Sequence, residues 1–539
     1  MGIPFILKPH AISAFDLFVR GGSFMMNGTI DEMDTQPLFP RSVERWGVFE
    51  VAVHGKTEGN PFVDYTVSGT FAGRNEQVTT AGFYDGNGVY KVRFMPAFEG
   101  QYSFVVQGSF CDKPLEGTFT VLPVQQGNHG PVRARGYHFE YDDGTPYYPL
   151  GTTCYVWELQ SQALWQETID TLGEGYFNKV RFCVLPKHYL YNLHEPSSYP
   201  YEGKPCKFSG DAAGNFYQLM SVQPGNDWNF SRFNPIHFQQ VEKSIAALLQ
   251  LGIEADLILF HPYDRWGFSQ MTPGQDELYL RYVLARFSAY RNVWWSLANE
   301  YDLLRAKTVQ DWERLAGLLV AFDPYHHLRS IHNCMPMYDY SRPWITHCSI
   351  QRQDVYKCAE YTGDFRTRYG KPVVLDEIAY EGDIDQGWGN ISGQELVRRF
   401  WEAAVRGGYA THGETYDRED FVLWWSHGGR LYGESPARIR FLHGILCETP
   451  GAGLKQMNGA WDEVAATAEG MGDAGYYLYY YGFNRPCRRT FHMDAAHTYQ
   501  AQVIDTWEMT VRDAGVHSGR FSVALPRKEY MAIRIRRLD

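Results

Sequence analysis

Residues Phe233–Phe260 read FNPIHFQQVEKSIAALLQLGIEADLILF. Asn234 is suited to accept the free backbone N–H groups of a first helical turn, and Pro235 fits the first helical position. Phe238, Val241, Ile245, Leu248 and Leu249 recur at the spacing of one helix face. Gly252 supplies a stop, and IEADLILF (253–260) is the near-continuous apolar run of a strand buried on both faces. This helix-then-strand unit repeats outward in both directions. Strand candidates are YYPLGTT (147–153), NKVRFCV (178–184), NVWWSLA (292–298), HLRSIH (327–332), WITHCSI (344–350), PVVLDEI (372–378) and GYATHGE (408–414). Helical patterns fill most gaps, at 162–172, 275–290, 309–322, 354–369, 392–406 and 434–447; the gap between the fifth and sixth strands is the weakest. Eight strands alternating with helices over roughly 300 residues predict a (β/α)8 TIM barrel. A doubly wound open sheet would usually carry a glycine-rich ligand loop after a strand, and within residues 140–450 neither GxGxxG nor GxxxxGK[ST] occurs.

The flanks differ. Residues 41–125 hold short alternating runs such as FEVAVHG, GVYKVRFMP and GQYSFVVQGSF between Gly, Asn and Pro turns, which predicts an immunoglobulin-like β-sandwich. QQGNHGP (125–131) reads as a linker, 132–450 as the barrel domain, and 455–539 as a smaller C-terminal β-sandwich. Residues 1–40 show no clear period and are read as an N-terminal extension. The extension and the β domains are candidate surfaces for a homo-oligomer.

Composition narrows the function classes. Of 539 residues 44% are hydrophobic and 21% charged, enough to bury a large core and too apolar for a disordered chain. A net charge of −12 without a basic block argues against nucleic acid and anionic membranes as partners. The 9 Cys include no CxxC pair, so no zinc ribbon or thioredoxin-type site is expected, and sparse cysteines fit a reducing compartment. With no secretory leader pattern and no long apolar span, the expected address is cytoplasmic. No HExxH and no other metal-ligand spacing occurs, so neither a metal nor an organic cofactor is expected. The 15 Trp and 37 Tyr suit sugar stacking, although most such rings serve cores.

Barrel active sites lie at the C-terminal ends of the strands. The fourth candidate strand ends in Asn299-Glu300 and the seventh in Glu377. Two carboxyls at one barrel mouth are the equipment for glycoside hydrolysis: one protonates the leaving oxygen, and the other attacks the anomeric carbon or activates water. A single glutamate ending a strand is more often a structural partner. Two, each after an apolar strand of an eightfold pattern, are harder to dismiss. Asp376 is read as structural, since neighbouring strand residues face opposite ways.

WWSLANE and KPVVLDE resemble the two catalytic strands of the clan A glycoside hydrolases, which are retaining enzymes on a (β/α)8 barrel. ERWGVFEVAVHG and the 233–264 stretch are similar to a group of candidate glycoside hydrolases whose flanking β domains have no known function. The resemblance implies Glu300 as acid/base, Glu377 as nucleophile, Asn299 as a contact to the sugar 2-hydroxyl and Arg181 as the residue that orients the nucleophile. The clan often places a tyrosine near the nucleophile after strand six; here His347 and Gln351 stand in that stretch.

Weaker strand-end candidates for sugar binding are Trp157, His261, Tyr263, His412, Glu414 and the pair Trp424 and Trp425. Each has a bland alternative, a satisfied buried histidine or interface packing. Glu414 is also a candidate to raise the pKa of Glu300 by like-charge repulsion. The expected reaction is retaining hydrolysis with carboxyls about 5–5.5 Å apart. The long loop 185–233 suggests a pocket and exo action on short oligosaccharides or glycosides. The rival readings are a metal-dependent barrel hydrolase, a non-catalytic carbohydrate-binding protein on a glycosidase scaffold, and a transglycosylase using the same residues.

Overall fold

The structure is a computed structural model that describes residues 39–207, 221–470 and 475–539. The extension read at 1–40 lies almost wholly outside the described residues. The helix that opened the sequence reading runs Pro235–Gln250, with the Asn234 side chain accepting from the Ile236 N–H. It ends in a Schellman turn: Ile253 N–H donates to Leu248 O at 2.9 Å and Gly252 N–H to Leu249 O at 3.1 Å. Gly252 has φ +70°, which glycine adopts without a Cβ penalty.

Eight parallel strands form the central sheet: β1 (Leu150–Thr153), β2 (Lys179–Cys183), β3 (Glu254–Phe260), β4 (Val293–Ala298), β5 (Arg329–Ser330), β6 (Cys348–Gln351), β7 (Val373–Glu377) and β8 (Tyr409–His412). Their spatial order is 5-4-3-2-1-8-7-6. The ring is nearly closed by a parallel bridge between His332 and Ser349 and by Thr346 N–H donating to Arg329 O at 2.9 Å. The 5–6 connection, already the weakest in the sequence pattern, has no helix among its residues. All described residues of β1–β4, β7 and β8 are buried, which is why these strands read as continuous apolar runs rather than alternating ones.

The barrel interior holds a buried ion cluster. Lys179 Nζ lies 2.7 Å from Asp256 and 2.8 Å from Asp376, and Thr411 and Ser349 donate to Asp376 at 2.7 and 2.5 Å. Asp376 is structural, as its position beside Glu377 suggested. Below it, the strands Val132–Arg135, His138–Tyr141 and Pro146–Tyr147 form a small antiparallel sheet whose Phe139 packs on Trp294, His347 and Tyr409. This layer closes the N-terminal mouth.

On one side lies a sandwich of a five-stranded and a three-stranded sheet between Ser42 and Leu122. It docks through Arg93, which pairs with Glu242 at 2.6 Å and donates to Arg286 O. On the other, a six-stranded antiparallel sheet and a two-stranded ribbon span Leu454–Arg537. Helix Gly393–Val405 is buried from Leu396 to Val405 because it is sandwiched between the barrel and this domain, with Trp401 stacked on Tyr480. Among the described residues no helix is long and apolar enough to cross a membrane.

Candidate active site

Glu300 stands two residues past the end of β4, after Asn299, and the chain turns there. Its backbone is left-handed, φ +46°, which is costly for a residue with a Cβ and is held by Tyr301 N–H donating to His332 O at 2.9 Å. Glu377 ends β7. Both side chains are buried and line one cavity of about 360 Å³ at the C-terminal face of the barrel, with Tyr155, Tyr263, Lys187 and Trp425 among its walls.

The two carboxyls have different neighbours. Tyr155 Oη donates to Glu377 Oε1. Arg181 Nη1 and His332 Nε2 each lie 3.5 Å from the same oxygen. Burial pushes the Glu377 pKa up, but the His332 ring, the Arg181 charge and the Tyr155 hydroxyl outweigh it and hold the carboxyl at about 2. His332 is itself braced: its Nδ1 meets Ser349 Oγ at 3.0 Å, and Ser349 donates to Asp376. Glu300 accepts from Tyr263 Oη, and the Cys334 thiol is a second donor. Burial, then the negative charge of Glu377, raise the Glu300 pKa above the ordinary carboxylate value despite the Tyr263 bond. One carboxyl is thereby kept ionised and the other driven toward the protonated form.

Of the sequence candidates, Glu300, Glu377, Tyr263 and Gln351 reach the cavity wall, and Arg181 stands directly behind Glu377. Asn299 is buried beside Glu300 with its Oδ1 lacking any partner among the described residues. The other candidates need correction. Trp157 is fully buried and stacks on Trp165 at 6.1 Å, so it is core and not a sugar platform. Trp424 donates to Thr152 Oγ1 at 2.8 Å behind β1; its neighbour Trp425 faces the cavity instead. His261 is anchored to Leu185 O at 3.1 Å, and burial lowers its pKa to about 3. His347 precedes β6 and packs on Trp294 and Phe139 at the opposite mouth of the barrel. His412 pairs with Thr152 Oγ1 at 2.9 Å and stacks on Phe177.

Glu414 accepts the backbone N–H groups of Tyr432 and Gly433 at 2.6 and 2.8 Å. Its neighbour Glu381 accepts those of Glu434 and Ser435 at 2.7 and 3.0 Å. The two acids thus anchor the start of helix Ser435–Cys447. Burial pushes Glu414 up to about 8. Ligand atoms of Glu381, His412 and Glu414 come within 4.8 Å of one another, but both carboxylates are already engaged by these amides. The like charge that raises Glu300 comes from Glu377, not Glu414.

The sequence reading missed Tyr155, Lys187 and His332. Tyr155 lies two residues before Trp157, a candidate that was named. His332 ends HLRSIH and was readable as a strand-end residue. Lys187 had no signal beyond its place just after β2. The tyrosine beside the nucleophile comes from the segment after β1 rather than from the β6 side.

A family model described as "Apiosidase-like, catalytic domain" matches residues 133–479. Two domains of unknown function, DUF5060 and DUF5605, match 42–109 and 461–536. A crystal structure of a candidate glycoside hydrolase from Bacteroides vulgatus is 38% identical; the alignment covers 93% of this chain and 100% of that one, with a TM-score of 0.85. A second solved structure, of a glycoside hydrolase, is 14% identical over 76% of this chain and 96% of its own, with a TM-score of 0.56, a likeness of fold alone. No functionally curated protein matches the chain.

Proposed function

The chain belongs to the apiosidase-like family and is a glycosidase; from that premise we propose that it hydrolyses short glycosides with retention, Glu377 acting as nucleophile and Glu300 as acid/base. The observation that carries this reading is the opposed environment of the two glutamates in one cavity. His332, Arg181 and Tyr155 favour an ionised Glu377, while burial and the adjacent charge favour a protonated Glu300. Glu377 attacks the anomeric carbon and Glu300 delivers its proton to the leaving oxygen. Glu300 then takes a proton from the water that releases the sugar. Asn299 is the contact to the sugar 2-hydroxyl.

A cavity of about 360 Å³ walled by tyrosines and tryptophans fits exo action on a terminal sugar. The family description points first to apiofuranosides. Carbohydrate is the partner this reading requires. Aryl furanosides and pyranosides of both anomers, run with wild type, Glu377→Gln and Glu300→Gln, test it. Cleavage lost in both variants, with NMR showing that the product keeps its anomeric configuration, is the expected result. Cleavage that survives both substitutions would place the chemistry elsewhere, and an inverted product would exclude the nucleophile role.

A further inference from the structure

Lys187 lies in PKHYLYN (186–192), directly after β2. The residue is 3% exposed and lines the same cavity as the two carboxyls. Its ammonium sits 3.3 Å from the ring centre of Tyr155, 4.4 Å from those of Tyr263 and Trp425, and 5.4 Å from that of Tyr189. Tyr155 and Tyr263 are the residues that donate to Glu377 and Glu300. The lysine backbone is pinned: Asn192 Nδ2 donates to Lys187 O, and Asn192 Oδ1 meets His427 Nε2 at 3.0 Å. The cage is therefore built and not a chance rotamer.

Aromatic faces attract an ammonium but accept none of its three hydrogen bonds in the way an oxygen does. The other two buried lysines are fully met: Lys179 by Asp256 and Asp376, Lys307 by both oxygens of Asp276. Lys187 has neither a carboxylate in ion-pair range nor a hydrogen-bond acceptor at Nζ among the described residues. A buried ammonium with donors open to a cavity lacks an oxygen that a ligand can bring. A positive charge beside the anomeric carbon would oppose an oxocarbenium-like transition state, so the oxygen it serves lies on the sugar edge away from that carbon.

We propose that Lys187 is a substrate-binding residue of the glycone subsite, donating to hydroxyl oxygens on the sugar edge remote from the anomeric carbon. The assignment rests on Glu300 and Glu377 being the reacting pair. It makes the subsite selective for a hydroxyl-bearing edge, and a glycone deoxygenated there is a poor substrate.

Binding and turnover separate the two readings. D-apiose, L-arabinose, D-galactose and D-mannose are titrated against wild type, Glu377→Gln, Lys187→Met and Lys187→Arg by calorimetry, and thermal unfolding is measured for each protein. The expected result is that wild type and Glu377→Gln bind at least one sugar. Lys187→Met weakens that binding about 10–100-fold, the worth of a charge-assisted hydrogen bond, and Lys187→Arg recovers part of it. Lys187→Met keeps or raises Tm, because it removes a buried charge without an ion partner. A structural lysine gives the reverse pair, unchanged affinity with lowered Tm, and overturns the proposal. Failure of every sugar to bind wild type also overturns it. Intact sugar binding without turnover counts against the glutamate pair alone.

A pH series adds a second readout. Burial lowers Lys187 to about 8, and Glu300, Glu377, Arg181, Cys183, Tyr155, Tyr189 and Tyr263 are the titratable groups around it. Sugar affinity of wild type falls as pH rises past about 8 and the ammonium loses its proton, whereas Lys187→Met shows no such fall. An identical profile in both proteins contradicts the role.

Discussion

Tyr155→Phe deletes a single oxygen from the active site. The ring remains, packed edge-on against Trp425 at 5.3 Å and facing the Lys187 ammonium. What is lost is the donation to Glu377 Oε1. A hydrogen bond to a charged acceptor is worth about 1.5–3 kcal/mol. Since about 1.4 kcal/mol moves a pKa by one unit, the Glu377 carboxyl should climb by about 1–2 from its position near 2. Arg181 and His332 stay at 3.5 Å, so it remains ionised at neutral pH. The sign follows from the roles. Glu377 must be charged to attack, so kcat/KM falls as pH drops through its pKa, and the acid limb moves to higher pH in the variant. Glu300 must be protonated, so it governs the alkaline side, which Tyr155 does not touch. The loosened carboxylate also aims less well, which should lower kcat about tenfold even on the plateau. The assay is kcat/KM for an aryl glycoside from about pH 3 to 9, with Tm recorded at each end. An acid limb that stays put, with the plateau within about twofold of wild type, would refute the assignment of Glu377 as the ionised partner of this tyrosine.

Other substitutions test the remaining parts. Glu300→Gln should lower kcat about 10²–10⁴-fold for poor leaving groups and much less for an activated aryl group that needs no proton, as a leaving-group series would reveal. Trp157→Ala should cost about 3–5 kcal/mol in stability with KM unchanged, whereas Trp425→Ala should raise KM with a smaller change in Tm; a KM effect at Trp157 would restore it as a sugar platform. Lys179→Met leaves Asp256 and Asp376 buried without their cation and should cost about 3–5 kcal/mol, read by denaturant unfolding.

The barrel was legible because parallel strands covered on both faces must be apolar throughout, and IEADLILF or NVWWSLA has no other use in a globular chain. Glu300 and Glu377 were legible for the same reason, as the first carboxyls to break such runs at the catalytic end. Beyond the strand ends the signal fails, because successive residues there point alternately into the cavity and into the helical layer. Trp157 and Trp424 turn outward while Tyr155 and Trp425 turn in, and composition does not distinguish them. His347 was misplaced because the run WITHCSI reads as a strand from 344, whereas pairing starts at Cys348, which drops the histidine to the far mouth. The electrostatics were least legible of all. Burial alone would raise both glutamates. The asymmetry arises because Arg181 from β2 and His332 from beyond β5 converge on one oxygen of Glu377, while Glu300 takes its hydrogen bonds from a phenol and a thiol. Residues 151 positions apart are made neighbours there by barrel closure at the His332–Ser349 bridge. That bridge stands in for the helix missing from the 5–6 connection. The least regular seam of the barrel is therefore the one that sets which carboxyl is ionised, and a substitution at Ser349 that loosens it should narrow the difference between the two.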